Sequence, residues 1–274
     1  MKQGSLYETL FQIGALIFVV IIVHATYVTV IRPNAELIQE QQQLLQQQDA
    51  SFVPERSVFI ILRDFEQETC IILMLWAVTI IAMKTQHTIR ERALLDRALI
   101  QLKDGVSILP EDSRNYARPV QGLTDKERSF LLPRALLAGL HRFQSTKNIQ
   151  AVSSIIKDTC ETEADRMETE LTIVRYIAWA IPSIGFLGTV RGIGTALGQA
   201  YQAVSGDIVG VTQSLGVAFN STFVALVVSI FLMFLFIIFC IFGLFFKLLV
   251  LFSDLLMETQ CFLDSSTQNH AEPL

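Results

Sequence analysis

The sequence predicts an all-α polytopic membrane protein with four transmembrane helices and long helices extending into the cytoplasm. Three observations predict it. The 274 residues are 51% apolar and only 17% charged, too apolar for a soluble domain of this length. Four stretches, 11–31, 69–83, 173–197 and 217–246, approach or exceed the roughly 20 apolar residues that cross about 30 Å of hydrocarbon as a helix. The segments between them differ sharply in basic charge.

That charge sets orientation. Residues 32–68 hold three basic against seven acidic side chains, 84–170 hold 14 Lys and Arg, and 199–214 hold neither. Basic residues stay on the cytoplasmic side, so 84–170 is expected inside and both termini with it. The organisation follows: 1–83, a transmembrane hairpin with an external Gln-rich segment at 32–68; 84–170, a cytoplasmic helical region; 171–246, a second transmembrane pair; 247–274, a cytoplasmic C-terminal helix and tail.

Taken in order, the first span is read as retained rather than as a cleaved signal peptide. Its n-region has only Lys2, and no small-x-small site follows. Residues 34–49 lack Gly and Pro, which predicts a short external helix ending before Pro54; the Gln run reads as a solvated spacer. The second span is the shortest and borrows Phe65 or the Glu66–Glu68 turn at its outer end. Leu94, Leu95, Ala98, Leu99 and Leu102 recur at helical spacing, so that helix is expected to continue over 84–104. Residues 105–122, with Pro110 and Pro119, read as a looser stretch. Thr124 followed by Glu127 fits a capping box, and Pro133 a new helical turn or a kink. Residues 145–181 contain no Gly or Pro, which predicts one long helix running into the third span. The last span, 217–246, amounts to about 45 Å of helix and overshoots the bilayer. A stripe from Leu248 to Phe262 continues it, and 265–274 read as a flexible tail.

Several function classes are excluded. A net charge of −5 implies no nucleic-acid partner. The four cysteines make no disulfide framework. No His/Cys pair has metal spacing, no cofactor is implied, and nothing in the spans resembles the machinery of an enzyme. Gly192-Ile193-Gly194 with Gly198 lacks the strand that a nucleotide-binding loop needs before it.

The candidate chemistry lies in the third and fourth spans. Gly188/Gly192 and Gly194/Gly198 are small-xxx-small pairs, and with Gly185 they mark a helix-packing face. Pro182 interrupts the backbone ladder and frees a carbonyl; a static bend and a flexing point both fit. Thr189 and Thr222 can order water or a small cation, or bond their own i−4 carbonyls. Asn220 and Ser221 lie beside Thr222 and need partners or a wet cavity at that depth. Thr222 shares a small-residue track with Ala218, Ala225 and Ser229. Arg191 either snorkels outward or pairs with an acidic group of a partner. His24 is a packed or interfacial histidine, or else a proton carrier. No Asp or Glu lies in the core of a span. Two hydroxyls without a carboxylate suggest half of an ion path, the other half coming from a partner.

Pro182-x-x-Gly185-x-x-Gly188-Thr189-Val190-x-Gly192-Ile193, followed by 215–227 (Leu-Gly-Val-Ala-Phe-Asn-Ser-Thr-Phe-Val-Ala-Leu-Val), resembles the MotA/TolQ/ExbB proton-channel family over about residues 170–235. The N-terminal hairpin is similar to the flagellar stator branch, the hydroxyl at Thr189 to the TolQ/ExbB branch. The resemblance implies the ring subunit of an ion-driven rotary motor in the bacterial inner membrane. Five copies would surround a dimer of a single-span MotB/TolR/ExbD-like subunit that supplies a membrane aspartate. Protons, or sodium, would pass between that aspartate and Thr189 and Thr222, with Pro182 flanking. Membrane lipid and a cytoplasmic effector at 84–170 are the other implied partners. Three departures stand out: Arg191 after Gly-Thr-Val, Phe231 where one branch has proline, and the Gln-rich segment. The reading of another class is a non-conducting membrane scaffold.

Overall fold

The computed structural model describes residues 2–48, 57–95, 111–204, 206 and 208–268, and the regular elements among the described residues are all helices. Four helices are long and apolar enough to cross a membrane, over Leu10–Gln46, Phe65–Glu91, Ile149–Gly198 and Val209–Ile241. The chain is a membrane protein with these four candidate spans.

One compact unit comprises Met1–Ala82 with Ile173–Ile237. It opens with α1 (Lys2–Thr26), a π-helical turn (Tyr27–Ile31) and α2 (Arg32–Gln48) in direct succession. The external helix expected at 34–49 is thus continuous with the first span instead of separate from it. Pro33 explains the π turn. It has no N–H for the carbonyl four residues back, and just before it the ladder widens, with the Arg32 N–H reaching the Tyr27 carbonyl. Asn34 donates its side-chain amide to the Val30 carbonyl at 2.7 Å. After α3 (Val58–Leu62), α4 (Phe65–Leu95) starts four residues before the apolar run and takes in Glu66 and Glu68. Trp76 ties the hairpin, its indole N–H donating to the Gln12 carbonyl at 3.1 Å.

The other unit comprises Met83–Thr172 with Ile238–Leu274. Residues 96–104, expected to extend α4, lie outside the described residues. The looser stretch expected over 105–122 contains a helix, α5 (Ser113–Gln121). Pro119 lies inside this helix, and Ser113, Ala117 and Val120 form its buried face. The Thr124 capping box forms: the Glu127 carboxylate accepts from the Thr124 backbone N–H at 3.3 Å and from its hydroxyl at 2.7 Å, opening the one-turn α6 (Asp125–Arg128). Pro133 lies in the first turn of α7 (Leu131–Thr146), where its missing donor is not needed. Glu91 caps that helix by accepting the Leu131 N–H at 3.0 Å.

The single helix expected from Ser145 is divided. Lys147 takes a left-handed conformation at φ 51° and bonds its N–H back to Phe143, and Asn148 accepts the Gln150 N–H at 2.9 Å. That is an αL C-cap followed directly by an Asn N-cap. The long helix is therefore α8 (Ile149–Gly198). Pairs Lys84–Glu170 at 2.7 Å and Arg134–Glu163 at 2.8 Å lace this unit.

A short α9 (Ala200–Val204) precedes α10 (Val209–Gln268). The last helix begins eight residues before the apolar run at 217 and continues to Gln268, so residues 265–268 are helical where a flexible tail was expected. Residues 269–274 lie outside the described residues. Among the described residues no disulfide joins Cys70, Cys160 or Cys240.

Candidate functional site: a hydroxyl pair between two spans

The glycines of α8 decide how α8 and α10 meet. A Cβ on Gly185 would stand 2.4 Å from Ala225 Cβ, one on Gly188 2.5 Å from Ser221 Cβ, and one on Gly192 2.8 Å from the Ala218 backbone nitrogen. Only hydrogen fits at those three positions. Gly194 and Gly198 differ: a Cβ at either meets nothing within 4 Å. Among the described residues their small-xxx-small spacing packs against nothing. On α10 the facing track is Ala218, Ser221, Ala225 and Ser229, all buried.

This close approach brings Thr189 and Thr222 together, their hydroxyl oxygens in direct hydrogen-bond contact. The bonding also crosses between the helices. Thr222 donates to the Gly185 carbonyl at 3.2 Å, and Thr189 reaches its own-helix Gly185 carbonyl at 3.2 Å and the Ala218 carbonyl of α10 at 3.5 Å. Each hydroxyl has one proton and more than one acceptor, so the pair can exchange donor and acceptor roles without moving heavy atoms. Ser221 bonds the Val217 carbonyl at 3.0 Å and accepts the Gln67 amide at 3.4 Å. Asn220 is half-buried and lies outside this hydrogen-bonded group.

Pro182 lies inside α8 without ending it. The carbonyl four residues back, Ala178, accepts the Ser229 hydroxyl at 3.3 Å, and the Ile181 carbonyl faces the Cys70 thiol at 3.7 Å. The freed backbone group is thus satisfied by a neighbouring span, as burial in an apolar medium requires.

Arg191 pairs within its own chain. Its guanidinium lies 2.8 Å from Glu66 and 3.9 Å from Asp64. His24 is also committed, Nδ1 lying 2.7 Å from Glu68 Oε1, while Arg32 bonds Glu68 Oε2 at 2.6 Å. Arg32 stacks on the Phe65 ring as well, 4.6 Å from its centroid.

The sequence reading left Asp64, Glu66 and Glu68 as residues of an outer turn. They form a buried acidic cluster instead: the Glu68 side chain is 6% exposed, and those of Glu66 and Asp64 13% and 14%. Glu66 Cγ is 3.1 Å from the point where a Gly188 side chain would begin, so the cluster adjoins the helix turn that carries Thr189. Three buried polar atoms there have no partner: Tyr27 Oη, Asp64 Oδ2 and Gln67 Oε1. One signal was present in the sequence. His24 and Arg32 precede the hairpin and Glu68 follows it, and an antiparallel pair sets such charges side by side.

A four-span helical membrane protein with an interhelical hydroxyl pair defines a class, and the comparison agrees. Residues 128–240, which include both threonines, match the MotA/TolQ/ExbB proton channel family. Over that stretch the chain is similar to this family, whose members are channel and motor subunits, not enzymes. The family implies partnership with ExbD-, TolR- or MotB-like proteins. No curated protein and no solved structure matches the chain significantly.

Proposed function

We propose that the chain is the ring subunit of an ion-driven rotary motor, five copies surrounding a dimer of a small single-span protein that carries a membrane aspartate. It resides in the bacterial inner membrane with both termini in the cytoplasm, and ion flow through the ring is converted into mechanical work. The observation that carries this reading is the contact between the Thr189 and Thr222 hydroxyls across two spans of the matched segment. The pair contains no carboxylate, so the titrating group comes from the partner. Proton transfer suits it because each hydroxyl passes a proton on by accepting one and donating another. Asn220 and Ser221 extend the polar depth, and Pro182 flanks it, the Ala178 carbonyl it frees already bonded to Ser229. The 84–170 region serves as the cytoplasmic docking surface. The low burial of the spans, 11% for the first and 28% for the last, supports assembly, since their open faces must meet lipid or other subunits.

The test is ion flux in membrane vesicles from the protein's own cells, followed with a pH-sensitive dye and repeated with sodium. Thr189→Val with Thr222→Val removes both hydroxyls at nearly constant volume. A lost hydrogen-bonded link of about 1–3 kcal/mol corresponds to a drop in rate of about 5- to 150-fold. Thr→Ser at the same positions keeps the hydroxyls and is expected to retain flux. Undiminished flux in the double valine variant would show that the pair carries no ions and leave the threonines only to hold helices together.

A further inference from the structure

Within the 83–172 unit, α5 and α7 enclose a groove of about 470 Å³. Arg114, Arg118 and Gln121 line it from α5, His141 and Gln144 from α7, and Ser113 from the start of α5, with Ala117 as a small floor residue. None of the lining residues is acidic. Arg114 and Arg118 are one helical turn apart on one face and exposed. Among the described residues neither holds a carboxylate, whereas Lys84, Arg134 and Arg166 of the same unit each do. Two unpaired guanidinium groups converging on one groove are unusual in a chain with a net charge of −5.

Ser113 supplies an independent observation. The residue is 2% exposed, and its hydroxyl has no hydrogen-bond partner. A buried hydroxyl left without a partner costs stability, and this one lies in the groove lining. Ser113 is also the first residue of a nine-residue helix whose preceding Asp112 makes no side-chain cap bond. The first N–H groups of α5 therefore lack a side-chain acceptor, and a helix N-terminus favours an anion. Glu111 and Asp112 are exposed and stand outside the lining.

We propose that this groove binds a phosphate-bearing small molecule. Guanidinium forks match phosphate oxygens in pairs, and the Ser113 hydroxyl and the Gln121 and Gln144 amides supply neutral donors. The His141 ring adds an N–H or an acceptor. The groove is larger than a single phosphate needs and falls in the range of small-ligand sites, so the organic part of a phosphate ester has room. The phosphate can belong to a soluble ester such as a nucleotide or to an anionic lipid headgroup. The proposal does not depend on the ion-path reading, because it rests on other residues.

The test uses the purified full-length protein in a zwitterionic detergent and isothermal titration calorimetry with three probes. These are inorganic phosphate, adenosine monophosphate, and water-soluble dihexanoyl phosphatidylglycerol set against its phosphatidylcholine counterpart. Saturable binding of at least one phosphate probe is expected, weakened about ten- to hundredfold by Arg114→Gln with Arg118→Gln. Arg118→Lys should lose less, since it keeps the charge. Ser113→Ala should weaken binding without lowering the melting temperature of the free protein, because its hydroxyl has no partner to lose. Binding by the nucleotide and not the phosphatidylglycerol assigns the site to a soluble ester; the reverse assigns it to a headgroup. No saturable binding by any probe, or binding unchanged in the double glutamine variant, overturns the proposal.

Discussion

Gly192→Leu is expected to force the third and fourth spans apart, while Gly194→Leu, two residues away on the same helix, leaves the fold of the single chain unchanged. At Gly192 the first added carbon would lie 2.8 Å from the Ala218 nitrogen and 2.9 Å from its Cα. Those are backbone atoms of a helix and cannot turn aside as a side chain does. At Gly194 the same carbon meets open space. Replacing glycine by leucine improves helix propensity by about 1 kcal/mol at both positions, so the difference between the variants isolates packing. Overpacking of this kind costs about 1–3 kcal/mol even where side chains can rearrange, and here the spans themselves must move. Thermal unfolding in detergent, followed by the loss of the monodisperse peak, measures it. Equal melting curves for the two variants would remove the glycine contact from the account. Because Thr189 and Thr222 meet only when the helices are this close, Gly192→Leu should also abolish ion flux.

Glu68→Ala is the second large effect. The carboxylate is almost fully buried and satisfies both Arg32 and His24. Removing it leaves the Arg32 charge, itself three-quarters buried, without its partner. Breaking a buried pair from one side typically costs about 3–5 kcal/mol, more than the intact pair contributes, because the remaining charge cannot regain its water. Glu66→Ala should cost less, since its partner Arg191 is half-exposed and can rehydrate. A melt in which Glu66→Ala proves the more damaging would show that the Glu68 triad is not the clamp of the first hairpin.

Much of this architecture was legible because lipid is a simple solvent. Apolar runs of sufficient length become spans, and Gly185, Gly188 and Gly192 recur at the spacing that puts them on one face. Thr189 and Thr222 were singled out as hydroxyls in neighbouring spans, and the structure brings them into contact. What the sequence hid depends on neighbours. Gly194 and Gly198 share the spacing of the packing glycines but face away, and spacing alone does not say which side of a helix another helix covers. The α5 helix was obscured by Pro119, a helix breaker in general that lies inside this one. The break at Lys147-Asn148 contains neither Gly nor Pro, and only the capping preference of asparagine marked it. Arg191 read as a lone charge because Glu66 and Asp64 are more than a hundred residues away in sequence. The carboxylates of Asp64, Glu66 and Glu68 looked interfacial because a residue just before an apolar run normally is, yet α1, α2 and α8 enclose them. The Ala178 carbonyl freed by Pro182 was foreseeable, but its acceptance of the Ser229 hydroxyl was not, since that depends on the register of α10 against α8.

The central claim is that this chain provides only the hydroxyl half of an ion path and that a partner supplies the acid. Native mass spectrometry of the tagged protein, gently extracted from its own cells, tests it most directly. The account predicts five copies together with two of a small single-span protein that carries an aspartate within its membrane segment. A monomer, or a ring that lacks such a protein however mild the detergent, would contradict it and leave Thr189 and Thr222 as packing residues of a membrane scaffold.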